Sequence, residues 1–83
     1  MVDCKRLLRR ARQAPESIRF DEICRLAECH GFERARQKST HVLYKRAGCM
    51  RVMNFQNVNG MAKPYQVRQL LRAIDELSLT PER

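Results

Sequence analysis

His41 is the residue in this chain best placed to do chemistry. It follows a short basic turn, with Arg36 and Lys38 before it and Lys45 and Arg46 after it. A lone imidazole among cations is what metal-free RNA cleavage needs. The ring can take a proton from a ribose 2′-hydroxyl, and the cations can hold the phosphate and its developing charge. Histidine, with an unperturbed pKa of about 6.5, is the natural base near neutrality. Neighbouring cations disfavour the imidazolium and so favour the neutral form that a base requires. Arg36, Lys38 and Lys45 are near enough in sequence to contact the phosphate.

A metal-dependent route would instead need several carboxylates converging on a hard cation. Glu33 is the only acid between Phe32 and Arg72, a span that carries Arg34, Arg36, Lys38, Lys45, Arg46, Arg51, Lys63, Arg68 and Arg72. Such a field repels Mg²⁺, so no metal and no cofactor is expected. The proton donor for the leaving 5′-oxygen stays open among Lys38, Tyr44, Tyr65 and water. On pattern alone, a single strand histidine is more often structural than catalytic.

The totals bound the scaffold. Eighty-three residues suffice for one small domain, spanning 1–83. At 43% hydrophobic with no tryptophan, its core is modest. The net charge of +8 and pI near 10.1 point to an anionic partner, with nucleic acid leading because phosphate neutralisation releases counterions. No apolar run approaches the roughly 20 residues that span a bilayer, so no membrane association is expected. Cys4, Cys24, Cys29 and Cys49 lack C-x-x-C spacing, which argues against zinc. With no secretory signal to support a disulfide framework, free thiols in a reducing cytosol are the expectation.

The elements that must position His41 follow from pattern. Asp3 can cap a first helix whose stripe is Cys4, Leu7, Leu8 and Ala11, ended near Pro15. A second helix is expected over 20–30, burying Phe20, Ile23, Leu26 and Ala27. Gly31 supplies a left-handed terminator, Phe32 the accompanying apolar contact, and His30 sits in the last turn, where the dipole favours a cation. Three strands are expected at 32–37, 40–46 and 50–55, with Lys38 and Ser39 making the first connection and 47–49 the second. Along the middle strand Thr40, Val42, Tyr44 and Arg46 share one face and His41, Leu43 and Lys45 the other. Both faces mix apolar and basic residues, so pattern does not say which is packed. After a loop over 56–63, Pro64 opens a last helix marked by Val67, Leu70, Leu71, Ile74 and Leu77, and 80–83 reads as a frayed tail. The expected fold is α+β in the order α-α-β-β-β-α, with helices on one face of a three-stranded antiparallel sheet.

Three motifs carry a family resemblance: GF at 31–32, RQKSTH at 36–41 and KPYQVRQLL at 63–71. Together they resemble the HicA family, small toxins of bacterial type II toxin–antitoxin systems, over a core at 20–78. Residues 1–14 are then an N-terminal helical extension. The resemblance implies a double-stranded-RNA-binding-domain-like fold and metal-independent mRNA cleavage by an mRNA interferase. It also implies inhibition by a cognate HicB antitoxin. It places the catalytic histidine at His41 and phosphate-backbone contacts at Arg36 and Lys38. Two residues depart from the family hairpin: Ser39 stands where it has glycine, and Thr40 where it has serine. Both bear on the turn that aims His41.

The alternative is a non-catalytic double-stranded-RNA-binding module in which the last helix lays Lys63, Arg68 and Arg72 along phosphates. A third reading is an adaptor whose basic face docks an acidic protein.

Overall fold

The computed structural model describes residues 3–80. The element order is α1 (Cys4–Gln13), a 3₁₀ turn (Pro15–Ser17), α2 (Phe20–Cys29), β1 (Glu33–Lys38), β2 (His41–Lys45), β3 (Met53–Gln56) and α3 (Pro64–Glu76). The strands form one antiparallel sheet in the order β1-β2-β3, so the protein is α+β. Residues 81–83 of the expected tail lie outside the described residues. No helix among the described residues is long and apolar enough to cross a membrane.

Local chemistry sets the helix ends. Asp3 accepts a hydrogen bond from the Lys5 backbone N–H at 3.0 Å and so caps α1. At the start of α2 the Glu22 carboxylate accepts from the Arg19 backbone N–H at 2.9 Å. At its end, Gly31 has φ +86, its N–H reaches the Glu28 carbonyl, and the Phe32 N–H reaches that of Ala27. This paired return of two N–H groups satisfies carbonyls the helix would leave unmet, and it drives Phe32 into the core. Phe32 therefore belongs to the helix cap, and β1 starts one residue later than expected. His30 is buried, with its Nδ1–H donating to the Leu26 carbonyl at 2.8 Å.

Tertiary packing resolves the ambiguous middle strand. Val42 and Tyr44 of β2, with Met53 and Phe55 of β3, face the helices and are buried. The Tyr44 and Phe55 rings lie 5.5 Å apart. Against them pack Ile23, Leu26 and Ala27 of α2 and Val67, Leu70 and Ile74 of α3. His41, Leu43 and Lys45 therefore point away from the core. The first helix shares that core through Leu7 and Ala11. It is held further by Arg10 paired with Glu22 and by a two-bond contact from Arg12 to Asp75, at 2.7 and 3.1 Å.

Two expectations are corrected. Cys4 and Cys29 form a disulfide rather than remaining free thiols, because docking of α1 on α2 brings their Cα atoms to 6.0 Å. Cys24 and Cys49 are the free cysteines among the described residues. The third strand starts at Met53, not at residue 50, since Met50 is wholly exposed and pairs with no strand. The preceding loop turns at Gly48, φ +88, with the Cys49 N–H bonded to the Arg46 carbonyl.

Candidate nucleic-acid interface

The β1–β2 hairpin aims His41. Its connection is Ser39 and Thr40, one residue beyond the expected pair, so Lys38 and His41 close the turn as direct partners. Ser39 takes φ +55 at the first turn position, where type II′ hairpins favour glycine. The register then sets Arg36 opposite Leu43 and Leu43 opposite Asn54. Side chains of directly paired residues share a face, so Arg36, Lys38, His41, Leu43 and Asn54 converge on the outer side of the sheet. They line a shallow depression of about 240 Å³. Leu43 is half-buried at its floor, and the four polar side chains are exposed.

Asn54 is a member of this site that sequence reading missed. Its signal was faint: one polar residue between Met53 and Phe55, the outward position of an alternating strand. The His41 Nδ1 lies 3.4 Å from Asn54 Oδ1. An amide oxygen only accepts, so in this contact Nδ1 is the donor, and Nε2 is the ring nitrogen not engaged by Asn54.

The other sequence-nominated cations sit elsewhere. Lys45 lies on the same face but four residues along β2, about 13 Å away at strand spacing. It lines a separate cleft of about 610 Å³ with Glu33, Arg34 and Arg46. Lys63 occupies the N-cap of α3 and Arg68 is exposed on that helix. Neither lines the depression. The first turn of α3 is nonetheless tied to the His41 end of the sheet. Gln66 is buried and accepts from the backbone N–H of Gln56, the β3 partner of His41, at 2.8 Å.

Of the candidate proton donors, Tyr44 is removed by geometry. Its ring is fully buried on the inner face, its hydroxyl donates to Glu28 at 2.7 Å, and it accepts from Arg34 at 3.2 and 3.3 Å. Burial, reinforced by the bond to Glu28, pushes its pKa well above the usual phenol value. Lys38, directly opposite His41, remains beside the site. Among the described residues, no three His, Cys, Asp or Glu side chains are grouped to hold a metal ion. No family model matches this chain, and neither a curated protein nor a solved structure does.

Proposed function

We propose that this protein is a metal-independent endoribonuclease, a HicA-type mRNA interferase with a double-stranded-RNA-binding-domain-like fold. It would act in the cytoplasm, whose reducing poise favours Cys4 and Cys29 as thiols over the bridge, and be restrained by a HicB-type antitoxin. The observation that carries the reading is the outward His41, set in a depression with Arg36 and Lys38 and with its Nδ1 turned to Asn54. In this scheme Nε2 takes the proton of the ribose 2′-hydroxyl. The 2′-oxygen bonds to the adjacent phosphorus, and the bond to the 5′-oxygen breaks. That oxygen receives a proton from Lys38 or from water. The products are a 2′,3′-cyclic phosphate and a 5′-hydroxyl end. Arg36 and Lys38 offset the extra negative charge on the five-coordinate phosphorus.

The test is His41→Ala. Loss of a positioned general base lowers cleavage by about 10²- to 10⁴-fold while the far-ultraviolet spectrum is kept. A variant that cuts mRNA at the parental rate removes the nuclease reading. Cleavage by the parent is expected to persist in EDTA. Restraint by an antitoxin predicts a small HicB-like reading frame beside this one and rescue of growth when both are expressed.

The second reading is the non-catalytic RNA-binding module, with Lys63 and Arg68 on phosphates. Its support is Lys63 at the N-cap of α3, where no side chain caps the helix and no acid lies in the first turn. A lysine at the positive end of a helix is electrostatically unfavourable unless an anion joins it. Retardation of RNA in a salt-sensitive way, with its length unchanged, would favour this reading.

A further inference from the structure

Among the Phe and Tyr side chains of the described residues only Tyr65 is exposed, at 53% of its full exposure. Phe32, Tyr44 and Phe55 are buried and Phe20 is half-buried. An open ring on so small a protein covers no core, and its place in the fold is specific. Gln66 uses its amide oxygen to accept from Gln56 N–H at 2.8 Å, while its amide nitrogen donates to the Tyr65 hydroxyl at 3.4 Å. One strand spacing of about 5 Å, the 2.8 Å hydrogen bond and the length of the Gln66 side chain separate the His41 backbone from the backbone of the first turn of α3. Lys63 lies over the same ring, its Nζ 5.8 Å from the centroid. Across the sheet the order is Arg36 and Lys38 on β1, His41 on β2 and Gln56 on β3, and the Gln66 side chain ties the first turn of α3, which carries Tyr65, to β3 at Gln56.

We propose that Tyr65, with Lys63, forms a base-stacking subsite for an unpaired nucleotide of the RNA strand that His41 engages. The proposal rests on the reading that the outer sheet face binds RNA. The depression beside His41 offers cations, an amide and the one imidazole that the proposed reaction uses, but no Phe or Tyr ring, so it can hold a phosphate and leaves the base without a platform of its own. The Tyr65 ring supplies the missing surface. Stacking on one aromatic face needs a base free of its own helical neighbours, which a duplex does not provide. Lys63 adds positive charge at the ring, where the next phosphate of the same strand would pass. The substrate class is therefore single-stranded RNA crossing the strands of the sheet.

The experiment measures binding of a short, uncleavable 2′-O-methyl single strand, and of the duplex of the same sequence, to the full chain. Tyr65→Ala is expected to weaken the single strand about 5- to 150-fold. Tyr65→Phe, which keeps the ring, is expected to restore binding. Duplex affinity is expected to be the same for Tyr65→Ala and the parent. Equal affinity of Tyr65→Ala and parent for the single strand overturns the proposal, as does an equal loss on the duplex. If Tyr65→Ala does not fold, Tyr65→Trp serves, since the chain otherwise has no tryptophan. Quenching of its fluorescence by the single strand supports the subsite, and unchanged emission overturns it. Because the probe cannot be cut, the result is independent of catalysis. A parent that binds through Tyr65 yet leaves ordinary RNA intact overturns the nuclease reading and not the subsite.

Discussion

Ser39 shows how one backbone angle governs the site. It holds φ +55 in the two-residue connection that Lys38 and His41 close. A non-glycine residue at positive φ costs about 1–2 kcal/mol, because its Cβ crowds the neighbouring carbonyl oxygen. Ser39→Gly is therefore expected to raise stability by about 1 kcal/mol in urea unfolding, with the hairpin unchanged. An equal or lower midpoint would show that the extra backbone entropy of glycine in the unfolded chain offsets the relief. Asn54 acts at the same scale. Its Oδ1 lies 3.4 Å from the His41 Nδ1 and so orients the ring. Under the proposed nuclease function, Asn54→Ala is expected to lower kcat about 2- to 10-fold, the value of one modest hydrogen bond, with KM unchanged. A rise in KM with constant kcat would make Asn54 a binding group instead.

At the scale of elements, the attachment of α1 can be tested by acid. Its ion pairs join Arg12 to Asp75 on α3 and Arg10 to Glu22 on α2. The hydrogen bond from Arg12, aided by its charge, holds the Asp75 carboxyl below the usual range against a small opposing effect of burial. For Glu22, burial pushes upward, but the bonds and charge from Arg10 and Arg19 together carry it below its ordinary value. A carboxyl depressed on folding stabilises fully above its unfolded pKa and loses that contribution as pH falls through the folded value. The unfolded values are about 3.9 and 4.3, so stability is expected to fall below about pH 4. Both pairs are partly solvated, and screening limits each to no more than about 1 kcal/mol. Asp75→Asn is expected to cost that much or less at neutral pH and to flatten part of the acid slope in thermal melts. A variant with the parental acid slope would show that the Arg12–Asp75 pair adds nothing to the attachment of α1.

Over the whole molecule, the Cys4–Cys29 bridge joins the beginning of α1 to the end of α2 across a separation of 25 residues. Closing a loop of that size in the unfolded chain stabilises the folded one by about 3 kcal/mol. Reduction is expected to lower Tm on the order of 10–20 °C, and Cys4→Ser to abolish that response. Identical melts with and without reductant would show that the bridge contributes nothing. The buried Cys24 thiol, pushed up by burial, stays a poor nucleophile and so a poor competitor for that bridge.

The chain by itself determined what depends on near neighbours. Asp3 caps α1, Gly31 and Phe32 close α2, and the apolar spacing of Val67, Leu70 and Ile74 marks α3. These are interactions across a few residues, and residue type decides them. His41 between basic neighbours was legible for the same reason. What tertiary packing decided are pairings between distant positions. The middle strand has apolar and basic residues on both faces, and only the burial of Tyr44 against α2 and Phe55 turned His41 outward. Asn54 met His41 through the β2–β3 register, the first turn of α3 was tied to β3 through Gln66, and Cys4 met Cys29 through helix docking. Long-range contacts of this kind depend on how all the apolar surfaces close together, and no local pattern encodes them.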